Sequence, residues 1–393
     1  MRSPRSVYVH FPFCVQKCPY CDFVSYPVGS RHDRDSADCS AMDGYIDGIL
    51  REIEATARIA SEDGLSILPL ETVYLGGGTP SLFAPEEIGR VLATLRECFG
   101  ILPDAEISME ANPGTVSESS LTDYRSVGVS RISMGVQSLS DGILRRIGRI
   151  YSGAEAVASM EAALRAGFLS LSCDLMTGLP GQTAKDAMDS LEALIRLGVP
   201  HISFYALSLE EGTPFYDRYA SREELLPSQE SEREMHHRML ARLAEAGYKH
   251  YEISNCALPG HESRHNRMYW KALPYYGLGA GAHSYFAGKR RANSADVGEY
   301  LAADGSALGF QSVEEEVDLP GEKREFMLLG FRLLDGVSAA EYKERFGSEL
   351  CADFGSELRA LETAGYLKSE NGCYRIRKDR LDFANEVFRG FVG

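Results

Sequence analysis

The chain has no uncharged apolar run approaching the ~18 residues that a transmembrane helix needs, so no membrane span is expected. It has no excess of positive charge either. Lys and Arg number 41 against 57 Asp and Glu, a formal net charge of −16. A general electrostatic grip on nucleic acid or on an anionic membrane needs the opposite sign. The start, Met1-Arg2-Ser3-Pro4-Arg5, is basic, but Val7 to Phe13 is too short and too aromatic for a signal-peptide core. A cytoplasmic protein is the expectation. No internal repeat or low-complexity tract stands out. Nine cysteines, an odd number spread over 393 residues, do not suit a secreted disulfide framework. What the chain does have is an ordinary globular composition, 44% apolar and 25% charged. That excludes a mainly disordered protein. At ~150 residues per domain, there is room for two or three domains, or for one large α/β barrel with an appendage.

Short β-rich runs alternate with longer helical patterns. Strands are expected at residues 6–10, 72–75, 106–109, 131–135, 169–175 and 201–205. Helices are expected at 42–59, 85–99, 117–127, 154–166, 184–197 and 229–246, with Pro85 in a first turn. Six strand-then-helix units argue for parallel strands joined by right-handed crossovers. Six are too few for a complete eight-fold barrel. The expected fold class is therefore α/β, a partial (β/α)6 TIM-like barrel over residues 1–285 with its chemistry at the carboxyl ends of the strands. Residues 286–320 read as a connection. Residues 321–393 read as a winged-helix-like α+β domain, three helices and a hairpin turning at Asn371-Gly372. Many such domains bind DNA. Residues 320–393 hold 12 Lys and Arg against 13 Asp and Glu, so a lid or a docking module is the stronger reading and no nucleic acid is expected.

Three of the nine cysteines, Cys14, Cys18 and Cys21, fall within eight residues, just after the first strand. Structural zinc normally takes four protein ligands. His10 is available as a fourth, but the spacing is not a familiar zinc pattern. A [4Fe–4S] cube wants one ligand per iron, usually four cysteines. Three leave one iron open for a ligand that is not protein. Zinc and unrelated buried thiols remain the alternatives. The other six cysteines, 39, 98, 173, 256, 351 and 373, show no ligand spacing.

Gly76-Gly77-Gly78-Thr79-Pro80 follows the second strand. Consecutive glycines permit close backbone approach to a ligand, although an ordinary turn reads equally well. The Lys-Ser/Thr of a phosphate loop is absent. Glu110, Gln137 and Asp174 then sit at or just past the ends of successive strands, with Arg149 farther on. A polar side chain in a barrel mouth is costly unless paired. One on each of three strands suggests a ligand with several donors and acceptors.

This combination resembles the radical S-adenosylmethionine (SAM) family. Longer stretches resemble its oxygen-independent coproporphyrinogen III oxidase group: Tyr8-Val9-His10-Phe11-Pro12-Phe13-Cys14, Ser108-Met109-Glu110-Ala111-Asn112-Pro113, Met134-Gly135-Val136-Gln137-Ser138 and Asp174 to Thr183. The resemblance covers most of residues 6–285, and the tail matches the group's C-terminal domain. It implies that Cys14, Cys18 and Cys21 ligate a [4Fe–4S] cluster. It implies a SAM site at Tyr8, Gly77, Gly78, Thr79, Glu110, Gln137, Arg149 and Asp174, with Tyr20 as an addition. It also implies one-electron cleavage of SAM, and hence an electron donor.

Two branches of the group differ at one position. In the oxidases the motif continues to a fourth cysteine, where this chain has Phe23. The loop resembles instead the HemW-type haem chaperones. His265-Asn266-Arg267-Met268-Tyr269-Trp270 fits the His-Asn-x-x-Tyr-Trp motif associated with haem binding in those chaperones, and it holds the chain's single Trp. A His is a good axial iron ligand, and Tyr and Trp offer flat apolar faces. Read alone, a His near aromatics is more simply a packed residue. The resemblance implies haem bound at His265, and haem-accepting proteins, respiratory ones among them, as partners. Tyr151 departs from the pattern, standing where these chaperones often have His. The alternative function is oxidative decarboxylation of coproporphyrinogen III propionates, and whether the chain is an enzyme stays open.

Overall fold

The computed structural model describes residues 2–29, 42, 44–303 and 311–392. Six strands lie side by side in chain order, all parallel: β1 (Ser6–Phe11), β2 (Leu70–Gly77), β3 (Ile101–Ala111), β4 (Arg131–Gln137), β5 (Ser170–Thr177) and β6 (His201–Ala206). Helices α1 (Tyr45–Glu62), α2 (Pro85–Cys98), α3 (Glu118–Val127), α4 (Gly153–Arg165) and α5 (Ala184–Leu197) return the chain between them, and α6 (Gln229–Glu245) follows β6. The helix starts have chemical causes. Ser117, Ser152 and Thr183 each accept from an N–H three residues on, satisfying a donor that the helix leaves free.

The strands alternate between two chemistries. Register aligns Val9, Leu75 and Met109, and then Met134, Cys173 and Ile202, on the face beneath the helices. All six are fully buried, and each large apolar side chain there contributes ~1.5–3 kcal/mol. The inner face carries Tyr8, Tyr74 and Ser108 in one row and Ser133, Ser172 and His201 in another. Closed barrels usually point branched aliphatic side chains inward. Here the inner face is polar.

Elements beyond the expected six complete the sheet. β7 (Lys249–Glu252) and β8 (Asn255–Ala257) add antiparallel beside β6, and α7 (Arg264–Trp270) follows. β9 (Tyr276–Leu278) then joins the free edge of β1 in parallel, with Val7 opposite Tyr276. The order is β9-β1-β2-β3-β4-β5-β6-β8-β7.

The stretch at 286–320, expected as a connection, carries regular elements of its own. β10 (His283–Phe286), β11 (Lys289–Asn293) and β12 (Gln311–Glu316) form an antiparallel sheet, with α8 (Val297–Ala302) between the last two. Phe286, Val297 and Tyr300 belong to the main core. Strands reading Lys-Arg-Arg and Glu-Glu-Glu carry no apolar alternation, so pairing rather than pattern defines them. Residues 304–310 of this stretch lie outside the described residues, as does Cys39.

The tail holds α9 (Leu319–Gly330), α10 (Ala339–Phe346), α11 (Leu350–Thr363) and the hairpin β13 (Leu367–Glu370) and β14 (Cys373–Ile376). Asn371 and Gly372 both take left-handed φ values, 52° and 75°, as a two-residue hairpin turn requires. This part has its own core, including Met327, Tyr342, Leu358 and Val387. It is fastened to the barrel beside α7. The Arg332 guanidinium lies 4.2 Å from the Trp270 ring centre, and Arg345 donates to the carbonyls of Lys271 and Ala272 at 2.9 and 2.7 Å. No helix among the described residues is long and apolar enough to cross a membrane.

Candidate functional site

The loop after β1 carries the three cysteines out and back. Phe13 and Cys14 pair with Tyr26 and Pro27 on its return, and Cys21 N donates to Cys18 O at 3.1 Å in a tight turn. Cys14, Cys18 and Cys21 line one cavity of about 140 Å3. The same cavity is lined by Tyr20, Gly77, Gly78, Glu110, Gln137, Arg149 and Asp174. Ten residues expected from the sequence therefore meet in one place, at the carboxyl ends of the strands. Thr79 sits in an adjoining recess, where its hydroxyl lies 3.5 Å from Cys14 Sγ.

The glycine loop is built against the cysteine loop. Gly78 N donates to Phe11 O at 2.8 Å and Thr79 N to Phe13 O at 2.7 Å. A Cβ on Gly78 would lie 2.5 Å from the Phe13 carbonyl oxygen, and Gly77 takes a φ of 106°. Neither position accepts a side chain without moving the backbone. Gln137 also takes a left-handed φ, 66°. A non-glycine residue pays for that conformation, and here it is the last residue of β4, at the cavity wall.

Two carboxylates face the cavity, Glu110 from β3 and Asp174 from β5, with β4 between them. Glu110 accepts from the Tyr74 hydroxyl at 2.7 Å and from Gly77 N at 3.0 Å. Burial outweighs both and, with Asp174 nearby, pushes its carboxyl up to about 7. Asp174 is raised to about 6 by burial, against hydrogen bonds from Ser203 and Ser133. Burial likewise raises the Cys14 and Cys21 thiols. Thiol ligands bind as thiolates, so metal binding must draw off these protons.

The donor set is consistent with a cluster and SAM on several counts. Among the described residues, no three His, Cys, Asp or Glu side chains close on a point that would hold a single ion. The three thiols line one cavity, and three ligands suit a multi-iron cluster with one iron left open better than the four that structural zinc takes. The Tyr20 hydroxyl and Arg149 Nε are buried with no partner. Unpaired buried groups of this kind call for a ligand to complete them.

Two expected residues lie elsewhere. Tyr8 backs the site rather than lining it: its hydroxyl bonds His10 Nδ1 at 2.8 Å, and His10 Nε2 bonds the Val24 carbonyl at 2.8 Å. Both ring nitrogens of His10 are thus engaged, which removes it as a fourth metal ligand. His265 is only 1% exposed and sits toward the opposite end of the inner face. Its Nδ1 bonds Thr72 at 2.8 Å and its Nε2 bonds Tyr269 at 3.0 Å. In this conformation it presents no free nitrogen to an iron. Burial holds it well below the usual histidine range, at about 3. His236 on α6 is half-buried against Phe204.

Asn112, two residues after Glu110 in the same motif, was not among the expected site residues. It donates to Thr79 Oγ1 at 2.9 Å and accepts from Arg149 at 3.1 Å, tying the recess to the cavity. Tyr205 donates to Gln137 at 3.3 Å. Tyr151 donates to the Gly135 carbonyl at 2.7 Å, and its ring centre lies 5.6 Å from the Arg149 guanidinium, within cation–π reach.

Residues 8–194 match the model of the radical SAM superfamily, and residues 322–378 match that of the HemN C-terminal domain. A protein of Bacillus subtilis (strain 168) named heme chaperone HemW is 35% identical over 393 residues, covering 99% of both chains. Its namesake in Escherichia coli (strain K12) is 33% identical over 404 residues, covering 99% of this chain and 98% of the relative. The solved coproporphyrinogen III oxidase HemN of Escherichia coli superposes with a TM-score of 0.83 over 99% of this chain and 90% of that one. At 22% identity that likeness is one of fold.

Proposed function

The chain belongs to the radical SAM superfamily and, within it, to the HemW family of haem chaperones, and on that premise we propose that it binds haem and passes it to acceptor proteins while holding a [4Fe–4S] cluster and SAM. The observation that carries the choice of chaperone over oxidase is Phe23. It stands where the oxidase motif has a fourth cysteine, and its side chain, 61% exposed at the cavity rim, offers no ligand.

Cys14, Cys18 and Cys21 would hold the cluster. Glu110 is placed to accept from the SAM amine, and Arg149 to pair with its carboxylate. Gln137 and Asp174 offer hydrogen-bonding groups suited to ribose hydroxyls. Gly77 and Gly78 allow the ligand to approach the backbone, while Thr79 and Tyr20 flank the cluster side. Cluster and SAM, when bound, supply one-electron chemistry. For His265 to meet a haem iron, its bond to Thr72 or to Tyr269 must open. Respiratory acceptors, an electron donor and a cytoplasmic setting belong to the same proposal.

The test is an anaerobic, iron- and sulfide-loaded preparation of the full chain, given haem and then an apo haem protein. A haem-dependent Soret band that passes to the acceptor is expected, with no protoporphyrinogen formed from coproporphyrinogen III under reducing conditions. A missing Soret band, or decarboxylated product, overturns the reading.

A further inference from the structure

A second cavity, of about 460 Å3, lies at the other end of the sheet, between the starts of β1 and β2 and helix α7. Its volume is within the range of small-molecule sites. Five cations line it, Arg2, Arg5, Arg264, Arg267 and Lys271, with a single carboxylate, Glu71. In a chain of net charge −16 this is a local reversal of sign.

Three of the five are already engaged. Arg5 pairs with Glu71. Arg264 donates to the Asp104 carbonyl at 2.6 Å and stands 3.8 Å from its carboxylate. Lys271 lies 3.4 Å from Glu341. The neighbouring Glu106 is occupied by the backbone N–H groups of Arg264 and His265 at 3.2 and 3.0 Å, and by Arg131 at 3.9 Å. Arg2 and Arg267 have no ion-pair partner among the described residues. The remaining wall combines the hydroxyl residues Ser3, Ser6 and Thr72 with an apolar part, Met268, Leu273 and Pro274. Among the described residues no aromatic ring lines the space, so a nucleobase would find none of them to stack on.

We infer that this cavity seats the carboxylates of a tetrapyrrole: the propionates of haem lie toward Arg267 and Arg2, and the edge of the macrocycle lies against Met268, Leu273 and Pro274. The inference rests on the haem reading above and gives it a place. Guanidinium groups take carboxylates in two-pronged pairs, and the apolar wall covers hydrocarbon that water would otherwise face. Thr72 lines the cavity and also bonds His265 Nδ1. A ligand seated here is therefore one side chain away from His265.

The experiment titrates the full-length protein with haem, iron-free protoporphyrin IX and haem dimethyl ester, following absorbance and fluorescence quenching. The wild type is expected to bind both free acids and to bind the ester about tenfold more weakly. Arg267→Glu should weaken the free acids by about tenfold and leave the ester unchanged. Arg2→Glu, at an exposed terminal position, should act in the same direction without risk to the fold. Far-UV circular dichroism and iron content check that Arg267→Glu remains folded. If haem binds the wild type but the ester and both variants bind equally well, the cavity assignment fails and the chaperone reading stands. If the wild type binds no tetrapyrrole, both fail.

Discussion

The imidazole of His265 stacks on the ring of Tyr74, centroids 5.1 Å apart, and the Tyr74 hydroxyl donates to Glu110 at 2.7 Å. A single tyrosine thus connects the histidine of the His-Asn-x-x-Tyr-Trp motif with a carboxylate of the cysteine cavity. The same short helix reaches the C-terminal domain through Trp270 and Arg332. The motif is therefore a structural joint between three parts of the molecule, whatever ligand it meets.

That role predicts a stability cost. Thr72 donates to Ser6 at 2.9 Å, so its oxygen accepts from His265 Nδ1 and the Tyr269 hydroxyl donates to Nε2. His265→Ala removes a buried ring and strands two polar partners, a loss of about 2–4 kcal/mol. Urea denaturation measures it. An unchanged unfolding free energy would show that the packing does not matter. A haem-binding defect in this variant must be scored on the folded fraction alone.

The cysteine cavity predicts metal content. An anaerobic preparation should hold about four iron and four sulfide per chain, and replacing Cys14, Cys18 and Cys21 together by Ala should abolish both with little change in circular dichroism. Phe23→Cys should leave the iron count unchanged. Zinc without sulfide in the wild type would refute the assignment.

SAM binding should depend on pH. With its carboxyl raised to about 7 by burial, Glu110 is largely protonated at pH 6 in the free protein. A neutral acid pairs poorly with an ammonium group, so affinity should rise between pH 6 and 8, by at most about tenfold per pH unit. Asp174, raised to about 6, contributes in the lower part of that window. Calorimetric titration at both pH values tests this, and Glu110→Gln should flatten the profile while weakening binding.

Glu52 predicts a different pH effect, on stability. Its buried carboxylate takes hydrogen bonds from Gly279 N at 2.7 Å, Asn293 at 2.6 Å and Tyr300 at 2.8 Å. Burial still raises it to about 7. The folded value lies above the ~4.3 of an unfolded Glu. Its contribution is therefore fully present below pH ~4.3 and is lost as pH rises through about 7, on the order of 3 kcal/mol in all. Denaturation at pH 5 and pH 8 should show this decline in the wild type and a shallower one in Glu52→Gln.

Much of the barrel was legible because its strands and helices obey local rules. Ser117, Ser152 and Thr183 announce helices, and Glu110, Gln137 and Asp174 interrupt apolar strands at the level where the cavity forms. β9 escaped because Tyr-Gly-Leu carries no pattern; its place is defined by the unpaired edge of β1. β11 and β12 escaped because charged strands show no periodicity. His265 was legible as a motif but not as an environment. Tyr269, one turn along the same helix, and Thr72, from a distant strand, occupy its nitrogens, and only folding brings Thr72 there.

The outer neighbour of β1 is β9, which begins at residue 276. A ribosome adds roughly 5–20 residues per second, so β1 waits on the order of tens of seconds for that partner after it emerges. During the wait it is an edge strand, open to foreign pairing, and the cysteine loop hangs from its end without its final support. The first motif to be synthesised is thus among the last to be finished. Iron–sulfur assembly has a natural moment in the life of the chain, after Leu278 has left the ribosome and the edge is closed.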